Sequence, residues 1–278
     1  MLRNIAVRIA RWIPADLKRW IHKHQYLSRF FRKTFAGVVG LGGNIVPVES
    51  GPLAGIKLVV SEHVSHAHIS GNYELETQLA IDRCVAPGFI CYDLGASVGY
   101  LSLLMARKAQ HVYSFEPAPH AIAEFRAHIA ANDFQNITIV EKAVSDGERV
   151  VEFGLTDNAY GSRIVESHAE RSLKVTTTTL DDFVGAHPPP DFIKIDVEDE
   201  EGRVLEGART VLLKSQPLIC CELHSVESAH AVETILHEYG YEITTLEGEP
   251  FRILEPIIPG DVQILGWPAK RSRANATA

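Results

Sequence analysis

The 278-residue chain is 46% hydrophobic and 22% charged, the balance of a folded domain that can bury a large core without disulfides or metals. Its net charge is −8, but residues 1–35 carry nine Lys/Arg against Asp16 alone, leaving 18 basic and 34 acidic residues, or −16, in the rest. An acidic body argues against nucleic acid as a partner, and no run approaches the ~18 apolar residues of a membrane span.

Ile5, Ile9, Trp12 and Ile13, then Leu17, Trp20 and Ile21 after Pro14, recur at helical spacing. They predict a basic helical extension over residues 1–36. Its apolar face could lie on an acidic membrane surface or a partner, or it could cap the main domain with its charges in water. Arg every few residues breaks any secretory signal, although an Arg-rich, acid-poor start would also suit an organellar transit peptide. The expected compartment is the cytoplasm, with peripheral membrane contact through residues 1–35 as an option.

Residues 37–70 hold GVVGLGGN and GPLAG, and predict a connecting segment of turns around short strands such as Ile56–Val60. His63, His66 and His68 are unevenly spaced and read as surface residues of a strand or loop. Residues 71–267 predict one α/β domain. Strands are expected at Phe89–Leu94, His111–Phe115, Ile137–Val140, Phe192–Ile195, Leu218–Cys221, Tyr241–Leu246 and Val262–Leu265. Helices are expected at Leu101–Arg107, Pro119–Asn132, around Gly202–Leu213 and from Val226 to Tyr239. Short apolar runs alternating with amphipathic helices imply a mostly parallel sheet covered on both faces. Residues 268–278 are polar and predict a disordered tail. Cys84, Cys91, Cys220 and Cys221 form no CxxC pair and read as small buried residues.

The chemistry-bearing signal is Asp93-Leu94-Gly95-Ala96-Ser97-Val98-Gly99, after a strand and opening a helix. Gly95 permits a sharp turn, Gly99 a close approach to a ligand, and free amides at the helix start carry partial positive charge. Asp93 can accept a hydrogen bond or pair with a cation. A dinucleotide site would show a second glycine where Ser97 stands, so a pyrophosphate is disfavoured. Glu116, 21 residues after Gly95 at the end of the next strand, is placed to take both hydroxyls of an adenosine ribose, or is simply a solvated strand-end carboxylate.

With these landmarks stand Tyr73-Glu74, Phe115-Glu116-Pro117-x-Pro119, Asn132, Ala143-Val144-Ser145, Leu180-Asp181, Lys194-Ile195-Asp196-Val197-Glu198 and Glu222-Leu223-His224. In this order, from about Gly71 to Glu222, the chain resembles the FkbM family of S-adenosylmethionine-dependent methyltransferases. The resemblance implies a class I, Rossmann-like sheet of seven strands, the last antiparallel, with helices on both faces. It implies S-adenosylmethionine as cofactor. Tyr73 and Glu74 would close over it, the turn of Asp93, Gly95, Ala96, Ser97 and Gly99 would hold its methionine end, and Glu116 with Pro117 its ribose. Ala143 would face the adenine, and Asp196 would stand near the sulfonium or the acceptor. The family commonly has Asn where Ser97 stands, and Glu-Gly-Ala-Glu where this chain has Glu198-Asp199-Glu200-Glu201. Two added acids would make an acceptor pocket more negative.

Asp196, Glu198, Glu222 and His224 would reach one rim from two adjacent strands. His224 is the natural general base for an acceptor hydroxyl. A hard divalent cation on the carboxylates would serve the same end, though no ligand spacing calls for it. In a plain structural role, Glu222 and His224 would only fix loops. Asn158–Ser162 borders the acceptor in the family, or is an exposed turn. The expected activity is methyl transfer to a hydroxyl of a sugar, glycan or natural product. Two other readings stay open: a nicotinamide-dependent oxidoreductase, and a non-catalytic scaffold that keeps the cofactor pocket.

Overall fold

The computed structural model describes residues 44–61, 63–155, 163–164, 172–253 and 262–269, in two units, Met1–Tyr73 and Glu74–Ala278. The basic extension over residues 1–36, the segment Asn158–Ser162 and nearly all of the tail lie outside the described residues. Among those described, no helix is long and apolar enough to cross a membrane.

In the first unit, strands β1 (Ile45–Pro47) and β2 (Lys57–Val59) pair antiparallel, Val46 opposite Leu58, and both are buried. Helix α1 (His66–Ser70) follows. Here the structure corrects the reading of the three histidines as surface residues. His68 is 1% exposed, its Nδ1 accepts from the Ser65 backbone N–H at the helix start, and its ring stacks on Tyr73 at 3.9 Å. The helical period turns it inward, whereas His63 and His66 are half-buried.

The second unit runs α2 (Leu75–Cys84), β3 (Ile90–Leu94), α3 (Tyr100–Ala106), β4 (His111–Phe115), α4 (Pro119–Asn132), β5 (Ile137–Val140), β6 (Ala143–Val144), β7 (Val150–Gly154), β8 (Arg163–Ile164), β9 (Ser172–Thr178), α5 (Leu180–Phe183), β10 (Phe192–Ile195), α6 (Glu201–Glu206), α7 (Arg209–Lys214), β11 (Leu218–Glu222), α8 (Val226–Glu238), β12 (Tyr241–Thr245) and β13 (Gln263–Pro268). Seven strands form the main sheet in the order β12-β13-β11-β10-β3-β4-β5, with β13 antiparallel to both its neighbours. The centre is apolar on both faces: every residue of β3 and β10 is buried, as a covered parallel sheet requires. Tyr92, Phe115, Ile193 and Ile219 pack with Val204, Leu212, Val232 and Leu236 of the helices in one core. Helix α3 is buried all round. The chain leaves β3 towards β4 on one side and later lays β10 on the other. The strand order therefore reverses between β3 and β10, where open sheets of this kind bind ligands beyond their carboxyl ends.

Two features differ from expectation. The predicted helix around Gly202–Leu213 is two helices. Gly207 passes so close to the Ser145 carbonyl that a Cβ would stand 2.3 Å from it, and Asp181 accepts from the N–H groups of Thr210 and Val211, starting α7 afresh. A second sheet, in the order β6-β9-β7-β8, is inserted between β5 and β10. Its Phe153 and Val175 pack on Ala118, Ala121 and Ala143. The four cysteines are free and buried, as expected.

Candidate active site

Asp93, next to last in β3, stands directly opposite Lys194 of β10, and both are buried. The Lys194 ammonium lies 3.7 Å from Asp93 Oδ1 and donates to Asp196 Oδ2 at 3.0 Å. Ser102 donates to the other oxygen of Asp93, while Oδ1 has no hydrogen-bond partner. Burial raises the Asp93 carboxyl above its ordinary range against the pull of Lys194. For Lys194, burial pulls towards the neutral form, but Asp196, Asp93 and Glu74 outweigh it and hold the ammonium charged. Asp93 is thus an anchor beneath the site.

The turn after β3 is dictated by close approach. Gly95 has φ 80°, and a Cβ there would stand 1.8 Å from the Asp196 carbonyl oxygen. Gly99 has φ 82°, but the space beside it is taken by the Phe125 ring, so its missing side chain serves helix packing. The amides of the turn ahead of α3 are also engaged. Gly95 and Ala96 donate to the Phe115 carbonyl, and Ser97 donates to Glu116 Oε2 at 2.9 Å. Glu116 Oε1 accepts from the Ala118 N–H at 2.8 Å. Two backbone donors therefore fix this buried carboxylate, each oxygen keeping a lone pair for a further donor. Burial pushes Glu116 up to about 7, although the Ala118 and Ser97 amides favour its ionised form.

The cleft over these groups encloses about 720 Å³ when the solvent at its open mouth is counted. Of the residues expected to touch a cofactor, Gly95, Ser97, Glu116, Pro117, Ala143 and Asp196 line it, and Glu198 joins them. Asp93, Ala96 and Gly99 shape the turn without lining the cleft. Glu74 opens α2 at φ 45° and acts on Lys194 through its charge. Tyr73 belongs to the first unit, against His68. Phe115, Val144, Phe153 and Ile164 add apolar wall, with Lys142 and His120 at its edge. A fixed carboxylate, an apolar wall and an acidic far end suit, in turn, the sugar, the base and the sulfonium of a nucleoside cofactor.

At the far end the structure brings together all four residues of the expected cluster. Nε2 of His224 stands 3.4 Å from Asp196 Oδ1, 3.4 Å from Glu222 Oε1 and 3.7 Å from Glu198 Oε2. A fifth residue, Glu201, completes it: fully buried, it meets His224 Nδ1 at 2.7 Å and accepts from the Ser228 hydroxyl. Burial alone would lower His224, but its contact with Glu201 and the carboxylates of Glu222 and Asp196 raise it to about 11. With both ring nitrogens facing carboxylates and the ring outside the cleft lining, His224 does not fit the general-base role assigned from sequence. Glu198 lines the cleft and remains partly exposed.

The two added acids have partners. Asp199, at φ 79°, pairs with Arg163 at 3.3 Å, and Glu200 accepts from Ser145 at 2.9 Å. Lys194 and Glu201 carry roles that the sequence reading did not assign. Lys194 shares a strand face with Asp196, two residues on, which the strand period could have revealed. Glu201 meets His224 across 23 residues of chain, and no local pattern signals that.

The family model described as the methyltransferase FkbM domain matches residues 93–243. The uncharacterized protein MJ1452 of Methanocaldococcus jannaschii is 37% identical over 62 residues, 22% of this chain and 24% of its own, so the match spans about a quarter of that relative. Among solved structures, methyltransferase FkbM from Methylobacillus flagellatus is 18% identical with a TM-score of 0.44, covering 65% of this chain and 44% of that one. SMU.1697c of Streptococcus mutans, in complex with SAH, is 9% identical with a TM-score of 0.45, covering 68% and 94%.

Proposed function

The chain belongs to the FkbM family of methyltransferases, whose cofactor is S-adenosylmethionine, and from that premise we propose that it methylates a hydroxyl of a sugar, glycan or natural-product acceptor. The observation that carries this reading is the two-ended cleft, with Glu116 fixed by two amides at one end and Asp196 and Glu198 lining the other. When bound, S-adenosylmethionine supplies a methyl group already activated by a positively charged sulfur. Glu116 would hold the ribose hydroxyls, and Phe115, Val144 and Phe153 the base.

A hydroxyl is a weak nucleophile that must lose its proton as the new carbon–oxygen bond forms. Glu198 is the carboxylate placed to accept that proton, because it lines the cleft and Asp196 is already committed to Lys194. Holding the hydroxyl in line and excluding water can supply up to ~7–11 kcal/mol without covalent catalysis. The test is incubation of the full chain with methyl-labelled cofactor and a fractionated extract of its source cell. Label in an ether of a small molecule or glycan is the expected product. Label confined to RNA or protein would overturn the acceptor assignment, and transfer to no fraction would favour a cofactor-binding scaffold.

A further inference from the structure

We propose that Asp196, Glu198 and His224 hold a divalent cation, Mg²⁺ or Mn²⁺, at the acceptor end of the cleft, with Glu222 as a fourth donor and Glu201 as the residue that orients the His224 ring. One ligand atom from each of the first three lies within 4.8 Å of the others. Octahedral ligands at about 2.0–2.3 Å from such a cation stand about 3 Å apart when adjacent and about 4–4.6 Å apart when opposite. The separations from His224 Nε2, 3.4 Å to Asp196, 3.4 Å to Glu222 and 3.7 Å to Glu198, lie between those two spacings, so small side-chain shifts would close the set on an ion. They are longer than the roughly 2.7–3.2 Å of a good hydrogen bond.

The two nitrogens of His224 differ in a telling way. Nδ1 makes a tight 2.7 Å contact with the fully buried Glu201, itself fixed by Ser228. Nε2, on a ring only 4% exposed, is aimed into three carboxylates. An imidazole with its outer nitrogen on a buried carboxylate and its inner nitrogen facing oxygen donors is the arrangement of a metal-ligating histidine. The charge points the same way. Four carboxylates surround this one ring, and Lys194 beside Asp196 is shared with Asp93. An oxygen-rich set with a single imidazole and no thiolate favours a hard cation. The site stands on its own geometry. Its role, polarising the acceptor hydroxyl while the second oxygen of Glu198 takes the proton, rests on the function proposed above.

The test is titration of the full chain with Mn²⁺, followed by electron paramagnetic resonance of the free ion, with Mg²⁺ as competitor and S-adenosylhomocysteine binding measured on the same samples by calorimetry. One Mn²⁺ per chain is expected, displaced by Mg²⁺. Binding should weaken at least tenfold in Glu198→Ala, a variant at the cleft rim, and by about 10–100-fold in Glu201→Gln, both with thermal unfolding near that of the parent. Absence of Mn²⁺ binding in a chain that binds S-adenosylhomocysteine would overturn the cation site and leave the methyltransferase reading intact. Binding of equal strength in the parent, Glu198→Ala and His224→Ala would also overturn it. Mn²⁺ binding without S-adenosylhomocysteine binding would support the site and count against the functional reading.

Discussion

The two ends of the cleft hold their carboxylates in opposite ways. At the β3–β4 end, Glu116 is fixed by backbone amides of Ser97 and Ala118, whose positions follow from the turn itself. At the β10–β11 end, Asp196, Glu198, Glu201 and Glu222 converge on one histidine, and side-chain contacts dominate the geometry. Backbone donors leave a neutral frame around one charge. Converging acids leave negative charge that a protonated His224 or a bound cation would offset. Between the ends lies Lys194, the buried ammonium that ties Asp93 under the first to Asp196 at the second.

That tie is the place to break the comparison hardest. Lys194→Met should destabilise the fold by about 3–5 kcal/mol, because it leaves two carboxylates facing one another without their cation. Guanidinium unfolding measures it. Adding Asp93→Asn should recover part of the loss. A single variant as stable as the parent would show that the ammonium is not what holds the two ends together.

Next in size is the acid end by itself. Glu198→Gln removes the proposed proton acceptor and should lower kcat by at least about 10²-fold, with S-adenosylhomocysteine affinity unchanged because Glu116 lies at the other end. Equal loss of both would mean that the ends are one unit and that Glu198 holds the cofactor.

The amide end carries its own pH signature. Burial raises Glu116 to about 7, so below that pH the free protein holds this carboxyl protonated. A ribose diol donating to it favours the ionised form, so binding must expel the proton. S-adenosylhomocysteine affinity should therefore fall as pH drops below about 7, by up to tenfold per unit, and level off above it. Calorimetry at pH 6, 7 and 8 reads this directly, and Glu116→Ala should cost about 1–3 kcal/mol of binding at pH 8. A flat profile would remove Glu116 from the ribose.

The same contrast explains what the sequence could reveal. The amide end is written locally: Asp93-x-Gly95 after an apolar run and Glu116 after the next fix strand, turn and neighbour through backbone geometry. The strands of the main sheet were visible as apolar runs alternating with helices, while the antiparallel last strand came only from the family resemblance. At the acid end Asp196, Glu198, Glu222 and His224 were legible as one rim, but Glu201 was not, since its contact with His224 depends on how α6 packs against the loop after β11. The inserted sheet was missed because β9 is half polar, with a Thr-rich run whose alternation a turn-based reading overlooks. Gly99 was misread for a related reason: the partner that needs its missing side chain, Phe125, lies a full helix away.

Asp199 offers the finest cut between the ends. It is one of the two acids added to the crowded end, and it sits at φ 79°, where a side chain costs roughly 1–2 kcal/mol that glycine escapes. Asp199→Gly forfeits the pair with Arg163, which is exposed and worth about 0–1 kcal/mol, and gains chain entropy in the unfolded state worth about 0.5–1 kcal/mol. The backbone N–H of residue 199, which donates to Glu201 Oε1, survives the change. The variant should therefore stay within about 1–1.5 kcal/mol of the parent in stability, with Mn²⁺ affinity little changed, because Arg163 already offsets the charge removed. A large gain in Mn²⁺ affinity would mean that Asp199 competes for the cation. A large loss would make it a ligand, and the crowded end would then be built around five carboxylates, with Arg163 as a gate.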